Sequence, residues 1–308
     1  MQIVKVVLAG GRGSLGRRVA ADLAARGDDI VVLTREPITP NEHDAMRYVH
    51  WDGRHVGSWA GELSGAAVIN LAGLLVDRRP SARNVELLTR SRVEPTRALA
   101  EAAAGLSEPP SVWIQMSTLA IYGGRGDEIL DETAAPGDGP PQMAGVARAW
   151  EAAAVGATSA RQVVLRTGVV FDRGTPALDR LSGLARWGLG GRVASGRQWV
   201  SWLHVHDYLA IVRTVLDDSS MSGVVHATSP QPVRNVELMA SLRRAVHRPW
   251  SPPTPAALVR IGAVFLRTDA ALALLGRRCV PTRLTNAGFQ FEFPALTAAL
   301  DDLLSART

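Results

Sequence analysis

A short apolar segment followed by closely spaced glycines limits this chain more than any other feature of its sequence. Val6, Val7 and Leu8 suit a buried strand, and residues 10–16 follow at once with the sequence GGRGSLG. Apolar residues then recur at helical spacing as far as Ala24. A strand, a glycine-rich turn and a helix form the unit that binds a dinucleotide, because the free N–H groups at the helix N-terminus attract phosphate.

The glycines of this turn have separate expected tasks. Gly10 allows the tight turn, Gly13 lets the backbone approach a pyrophosphate, and Gly16 lets the helix pack close to the strand. The position after an N-terminal strand favours a cofactor site over the alternative, a glycine-rich turn without a ligand. The predicted cofactor contacts in this turn are Gly10, Gly11, Arg12, Gly13, Ser14, Leu15 and Gly16.

The composition argues against several function classes. The 308 residues include 34 basic and 29 acidic side chains, a net charge of +5, but the arginines are scattered and form no basic block with interleaved aromatic residues. This pattern argues against nucleic-acid binding. The single cysteine, Cys279, excludes an internal disulfide and a cysteine metal cluster, and we expect a buried thiol and no metal site. No signal peptide or membrane-spanning run is present, so we expect a cytoplasmic protein without a membrane partner.

Strand and helix patterns alternate over the first half of the chain. The alternation predicts an α/β fold with a doubly wound parallel sheet over residues 1–168, to which later strands could be added. Residues 169–308 are predicted to form a smaller, mostly helical lobe over the carboxyl ends of the strands. The predicted strands are 6–8, 30–33, 48–51, 66–71, 112–116 and 162–166, and the principal predicted helices are 83–104, 143–157, 176–187, 207–216, 255–266, 269–275 and 294–304.

Two strand ends carry further candidate cofactor contacts. An NAD-specific site usually has an acidic residue after the second strand, but Thr34 and Arg35 stand there. Because a guanidinium can pair bidentately with a 2′-phosphate, this favours NADP(H); the alternative is a solvated surface arginine. After the fourth strand, Leu71 is followed by two small residues, Ala72 and Gly73, which let the backbone pass close to a cofactor ribose.

The fifth strand ends in hydroxyl side chains. Ser117, Thr118 and Tyr122 lie where ligands bind in open α/β sheets, in the crevice beyond the carboxyl ends of the strands. They are therefore candidates for the reacting end of a site. The alternative is that their hydroxyl groups only satisfy a turn.

The chain as a whole resembles the extended short-chain dehydrogenase/reductase superfamily. The Gly10/Gly13/Gly16 spacing differs from the usual GxGxxG motif and is the variant seen in that superfamily. More specific segments resemble an atypical branch named epimerase family proteins, whose C-terminal domain has no known function. These segments are NLAG at 70–73, SRV at 91–93, GRQWVSWLHV at 196–205 and AGFQF at 287–291. The resemblance implies a Rossmann domain, NADP(H) binding and a substrate cleft between the lobes. It also implies cofactor contacts at Asp52, at Arg92 and at Ser117.

Three departures from the superfamily pattern limit the chemistry. The positions of the usual Tyr-x-x-x-Lys dyad hold Met143 and Ala147, neither of which can move a proton. Val200 and Ser201 stand where nucleotide-sugar epimerases carry an arginine for the substrate diphosphate, with Arg197 a possible substitute. The branch commonly has two acidic residues where this chain has His206-Asp207; His206 could shuttle a proton or could simply be exposed, and Asp207 is expected to cap a helix.

Two functions of different classes remain open. The first is an NADP(H)-dependent oxidoreductase or epimerase on a small organic substrate, with Ser117 or Thr118 holding the reacting oxygen and Tyr122 or His204 supplying the proton. The second is a non-catalytic NADP(H)-binding redox sensor or regulatory protein. Superfamily members often dimerise through the helices at 83–104 and 143–157, so a homodimer is a further expectation.

Overall fold

The computed structural model describes residues 3–37 and 46–305. None of the helices in these residues is long and apolar enough to cross a membrane. The strands are β1 (Lys5–Ala9), β2 (Asp29–Thr34), β3 (Met46–His50), β4 (Ala67–Asn70), β5 (Val112–Thr118), β6 (Ile129–Leu130), β7 (Gln162–Thr167), β8 (Val169–Phe171), β9 (Trp199–Val200), β10 (Trp202–His204), β11 (Gly223–Ala227), β12 (Val233–Arg234) and β13 (Arg278–Cys279). The α-helices are α1 (Ser14–Arg26), α2 (Ala82–Ala104), α3 (Val146–Ala154), α4 (Pro176–Arg186), α5 (Val205–Asp217), α6 (Asn235–Ala245), α7 (Ala256–Phe265), α8 (Ala271–Leu274), α9 (Thr282–Asn286) and α10 (Leu296–Leu304).

Within the described residues, seven strands form one parallel sheet in the order β11-β7-β5-β4-β1-β2-β3. Alternate residues of β1 enter different cores: Val6 and Leu8 pack with α1 and α5, whereas Val7 and Ala9 pack with α2. Both faces of the sheet are therefore covered by helices, as the apolar runs of its strands require. The predicted doubly wound α/β fold is confirmed.

The sheet also recruits chain from beyond residue 168. Strand β11 pairs in parallel with β7, and α5 packs in the same core as α1. The sequence boundary at 168 therefore does not separate the sheet from the rest of the chain. Strand β11 and helix α6 were missed by the sequence analysis, because short apolar runs and capped surface helices give weak periodicity.

The segment before α3 differs from the predicted helix over 143–157. Residues Pro141–Gly145 form a π-helical turn, and α3 itself ends at Ala154. Gly156, with a φ of +75°, lies in the left-handed region and follows the end of the helix. Helix α2 continues through Pro95 without a break.

The second lobe is joined to the sheet by short strand pairs. Its own core groups Phe171, Trp202, Leu238 and Leu300. Strand β13 pairs with β6, which follows β5 in the chain, with Cys279 opposite Leu130. This pairing brings the C-terminal segment to the carboxyl edge of the sheet, where the predicted site lies.

Candidate functional site

The glycine turn after β1 is built by close backbone contacts. Gly10 has a φ of +85°, and Gly13 donates its N–H to the Gly10 carbonyl at 3.0 Å. A Cβ at Gly10 would lie 2.7 Å from the Leu71 backbone, and one at Gly16 would lie 2.3 Å from the Gly10 oxygen. Neither position can hold a side chain without moving backbone, so the turn, α1 and the end of β4 form one fitted unit.

This turn opens onto a cleft of about 540 Å³, the cofactor cleft. It is lined by Gly10, Arg12, Gly13, Leu33, Thr34, Arg35, Glu36, Trp51, Gly53, Leu71, Ala72, Gly73, Ser91 and Pro95. Eight of the predicted cofactor contacts thus lie together. Gly11, Ser14, Leu15 and Gly16 belong to the same turn but do not line the cleft; Gly11 faces Val32 and Gly16 faces the turn itself.

The outer wall of the cofactor cleft is charged. Arg35 is exposed at its rim. Arg12 forms an ion pair with Glu36 at 2.9 Å, and its guanidinium lies 4.7 Å from the centre of the Tyr48 ring. Glu36, which donates its N–H to the Thr34 hydroxyl, is an acidic cleft residue that the sequence analysis missed because it follows the strand end by two residues.

The structure does not bring Asp52 into this cleft. Its carboxylate accepts hydrogen bonds from the backbone N–H groups of Arg54 and His55 and contacts the His55 ring at 2.6 Å. The donors from His55 hold the pKa of Asp52 well below its ordinary value. A carboxylate occupied by its own loop stabilises that loop, while the neighbours Trp51 and Gly53 line the cleft.

A second cleft of about 280 Å³, the inner cleft, lies at the carboxyl ends of β5 and β7. Its lining comes from both lobes: Val76, Arg92, Thr118, Leu119, Ala120, Gln142, Met143, Val146, Ala147, Trp150, Thr167, Gly168, Val169, Trp199, Val200, Ser201, Leu272, Leu275 and Arg277. A Cβ on Gly73, in the cofactor cleft, would lie 3.1 Å from the Arg92 side chain, so the two clefts meet at this contact.

Arg92 holds its position at this junction without a carboxylate. Its guanidinium donates to the carbonyls of Leu88 and Leu74 and lies 5.1 Å from the centre of the Trp150 ring. Burial lowers the pKa of Arg92 to about 10, so it still carries its charge at neutral pH. A cation between the two clefts suits the negative charge of a bound dinucleotide.

Ser117 and Thr118 differ in what their hydroxyl groups can do. The Ser117 hydroxyl donates to Glu151 at 2.5 Å, and Glu151 is paired with Arg166 at 2.8 Å. Thr118 lines the inner cleft, and its oxygen accepts the Ala120 N–H at 3.2 Å, so its proton remains available to a ligand. The structure therefore presents Thr118, not Ser117, to the inner cleft.

Tyr122 is buried behind the inner cleft and does not line it. Nδ1 of His226 faces the Val280 carbonyl at 3.0 Å and must donate to it, so Nε2 accepts the Tyr122 hydroxyl proton at 2.6 Å. Arg166 donates to the same hydroxyl at 2.7 Å. Burial raises the pKa of Tyr122 to about 12. The expectation that Tyr122 supplies a proton to substrate conflicts with this geometry, because its proton is already committed.

His204 is likewise placed away from both clefts. It is fully buried, its ring stacks on Phe293 at 3.9 Å, and its Nδ1 accepts the His206 N–H. Burial lowers the pKa of His204. His204 caps the N-terminus of α5, a role that the sequence analysis expected of Asp207. The Asp207 carboxylate instead accepts hydrogen bonds from the N–H groups of Glu292 and Phe293. His204 therefore joins α5 to the C-terminal segment rather than serving the inner cleft.

Several polar groups at this end were missed by the sequence analysis. Gln142 and Arg277 line the inner cleft, while Glu151, Arg166 and His226 form the hydrogen-bonded chain behind it. They lie far apart in sequence and in segments without a recognisable motif. Arg197 does not line the inner cleft; its side chain is 75% exposed beside Asp127. Within residues 3–37 and 46–305, no group of three or more His, Cys, Asp or Glu side chains could hold a metal ion.

Comparison with known proteins agrees with this architecture. Residues 6–225 match the NAD dependent epimerase/dehydratase family, and residues 254–303 match a domain of unknown function, DUF1731. The epimerase family protein SDR39U1 of Bos taurus is 33% identical over 98% of this chain and 100% of its own length. The crystal structure of human SDR39U1 (isoform2) with NADPH superposes with a TM-score of 0.85 at 31% identity, over 97% of this chain and 98% of that one.

A second solved structure is more distant. The nucleoside-diphosphate sugar epimerase from Corynebacterium glutamicum has a TM-score of 0.78 at 29% identity, covering 98% of this chain and 58% of that chain. The resemblance to epimerase family proteins with a C-terminal domain of unknown function is thereby confirmed. With the family match covering most of its length, the chain belongs to the NAD dependent epimerase/dehydratase family.

Proposed function

We propose that this protein binds NADP(H) and acts as an oxidoreductase or epimerase on a small organic substrate, without the usual Tyr-x-x-x-Lys dyad. The observation that carries the proposal is the meeting of the two clefts at Gly73 and Arg92. One cleft begins at a glycine turn fitted for phosphates, and the other ends at the sheet edge beside Thr118. The NADPH named with the human relative's structure supports the choice of cofactor.

The residues of the cofactor cleft fit a dinucleotide. The Leu71 backbone, 2.7 Å from where a Cβ on Gly10 would lie, keeps the turn tight, and the free N–H groups at the start of α1 attract phosphate. Arg35 and Arg12 lie where a 2′-phosphate would be recognised, which supports NADP(H) over NAD(H). The cofactor supplies hydride-transfer chemistry when bound. The protein positions both reactants.

At the inner cleft, Thr118 is the residue we propose to hydrogen-bond the reacting oxygen of the substrate. Met143 and Ala147 both line this cleft and cannot titrate, which supports chemistry without the dyad. The Ser117–Glu151–Arg166 chain fixes the end of β5 from behind. Thr118 can stabilise developing negative charge on oxygen through its free proton, without itself being deprotonated.

A second candidate function is a non-catalytic NADP(H) sensor. The observation that favours it is the apolar character of the wall formed by Met143, Val146, Ala147 and Trp150. Either function is compatible with poor binding of nucleotide sugars. The inner cleft, at about 280 Å³, is small for a nucleotide sugar, and Val200 and Ser201 stand where nucleotide-sugar epimerases carry an arginine.

The discriminating experiment is a turnover screen of the purified protein with NADPH against carbonyl compounds, alongside calorimetric titration of NADPH. We expect tight NADPH binding and oxidation of NADPH with at least one substrate class. Tight binding without turnover across a broad screen would support the sensor instead. Failure to bind NADPH would overturn both. A homodimer through α2 and α3 stays a prediction, to be tested by light scattering.

A further inference from the structure

Arg277 brings an uncompensated positive charge to the inner cleft. Its side chain lines the cleft, and among residues 3–37 and 46–305 no hydrogen bond, ion pair or ring contact holds its guanidinium. The next residue, Arg278, is different, because its guanidinium stacks 4.5 Å from the centre of the Trp199 ring. Burial of Arg277 lowers its pKa, the direction expected of a cation removed from water without a counter-ion.

The backbone around Arg277 is fixed against the β9–β10 segment. The Arg277 N–H donates to the Trp199 carbonyl, and the Ser201 hydroxyl donates to the Arg277 carbonyl at 2.9 Å while accepting the Cys279 N–H at 3.0 Å. A Cβ on Gly276 would lie 2.4 Å from the Trp199 nitrogen. Arg277 is thus held at the cleft wall by contacts on both sides of it, rather than carried on a loose loop.

The rest of the lining does not neutralise this charge. Arg92 is a second guanidinium in the same cleft, and none of the described lining residues is Asp or Glu. By contrast, the buried guanidinium of Arg166 is paired with Glu151 at 2.8 Å. A half-buried charge without a counter-ion or hydrogen-bond partner is unfavourable, so Arg277 indicates that a negatively charged group completes the site.

Gln142 adds a hydrogen-bond acceptor to the inner cleft, whereas Arg277 can only donate. Its Nε2 donates to the carbonyls of Val76 and Arg78, whereas its buried Oε1 has no hydrogen-bond partner among the described residues. The side chain is 1% exposed and lines the inner cleft. A buried acceptor without a donor is unfavourable in the same way, and a ligand hydroxyl would satisfy it.

We propose that the inner cleft takes a small organic acid, whose anionic group pairs with Arg277 and whose hydroxyl donates to Gln142. The proposal rests on the function proposed above and specifies its substrate class. With a volume of about 280 Å³ and a mostly apolar lining, the cleft suits a compact acid with an apolar body. In this proposal the C-terminal domain contributes to substrate binding, because it supplies Arg277.

The test is calorimetric titration of the NADPH-saturated protein with three compounds: mandelate, mandelamide and phenyl phosphate. Mandelate and mandelamide share shape and hydroxyl but differ in charge. We expect mandelate to bind about tenfold or more tightly than mandelamide, the scale of a charge-assisted hydrogen bond. Tighter binding of phenyl phosphate than of mandelate would identify the anion as a phosphate and still support the anion site. Equal binding of acid and amide, or no binding of either anion, would overturn the proposal.

Substitutions test whether the preference for mandelate over mandelamide depends on Arg277. Arg277→Gln should abolish the preference for the anion without lowering thermal stability, because it removes a half-buried charge that has no counter-ion. Arg277→Lys should restore part of it. Arg260→Gln makes the same charge change on the exposed face of α7 and should keep the full preference. An Arg277→Gln protein that keeps the preference would contradict the assignment.

The NADPH titration separates this proposal from the previous one. If anions bind at Arg277 but no substrate is turned over, the anion site stands and the enzymatic function fails. If NADPH is oxidised by neutral carbonyl compounds only, the enzymatic function stands and the anion site fails.

Discussion

The two clefts of this protein are built from different parts of the chain. The cofactor cleft is shaped by backbone: the glycine turn approaches the end of β4 so closely that a single Cβ at Gly10 would collide with it. The inner cleft is shaped by side chains from both lobes, and its polar groups, Thr118, Gln142 and Arg277, come from three distant segments. The first is a continuous local structure, whereas the second exists only after the lobes have packed.

The difference has a physical consequence. A site made of backbone tolerates almost no change in its glycines but is indifferent to much of its side-chain lining. In a site made of side chains, the hydrogen bonds that each side chain already makes decide which groups are available to a ligand. Ser117, Tyr122 and His204 have hydroxyl or imidazole groups suited to catalysis, yet their hydrogen bonds are committed inside the protein. Four predictions test this contrast.

The largest effect on cofactor binding is expected from Gly16→Ala, which breaks the cofactor cleft. The new Cβ would lie 2.3 Å from the Gly10 oxygen, and backbone on both sides cannot yield without moving α1. We expect NADPH affinity to fall by about a hundredfold or more, about 2.7 kcal/mol. Calorimetry measures it. Gly183→Ala, where nothing lies within 4 Å, is the matched control and should bind normally. Normal binding by Gly16→Ala would refute the backbone-built site.

The next prediction concerns acid stability behind the inner cleft. Burial lowers the pKa of His226 to about 4, below its ordinary 6.5. Between pH 6.5 and pH 4, His226 is protonated in the unfolded chain but neutral in the folded protein. The free energy of unfolding therefore decreases as the pH falls, by about 3 kcal/mol in total from this group. Chemical denaturation at neutral pH and at about pH 4.5 gives the difference. His226→Gln, which does not titrate, should show a smaller loss; an equal loss would assign the effect to other groups.

Thr118→Val tests the side-chain-built end, once a substrate is known. The loss of the hydroxyl that faces the inner cleft should lower turnover by about a hundredfold, while NADPH affinity stays within a few-fold because the phosphates lie far away. Thr118→Ser keeps the hydroxyl and should keep most activity. Tyr122→Phe should instead lower stability, by about 1–3 kcal/mol, since it removes the hydroxyl that bonds both Nη1 of Arg166 and Nε2 of His226. Full activity in Thr118→Val would remove Thr118 from the mechanism.

The smallest effect is expected at the rim of the cofactor cleft. Arg35→Asp should reverse a preference for NADPH over NADH, because an aspartate repels the 2′-phosphate and accepts from the free ribose hydroxyls. The lost contact is worth about 1.5–3 kcal/mol, or tenfold and more in affinity. Paired titrations with NADPH and NADH measure the ratio. Equal or tighter NADH binding by the unaltered protein would contradict the cofactor choice itself.

The sequence by itself determined the parts that local physics encodes. The apolar run at 6–8, the glycines at 10, 13 and 16 and the strand–helix alternation predicted the doubly wound sheet and its cofactor edge, because each depends on periodicity or on the space that a missing Cβ leaves. The residues at the ends of β2 and β4 were found for the same reason: a strand end fixes where the next residues lie.

Only the tertiary structure decided which polar side chains the inner cleft keeps. Tyr122 was a candidate by its place after β5, but pairing of β13 with β6 and of β11 with β7 buries it against Arg166 and His226. Arg277 carried no recognisable signal, since its exposure to the cleft depends on the packing of Gly276 and Ser201 against the β9–β10 segment. Hydrogen-bond commitment and the absence of a counter-ion arise from contacts between distant segments, which no local pattern records.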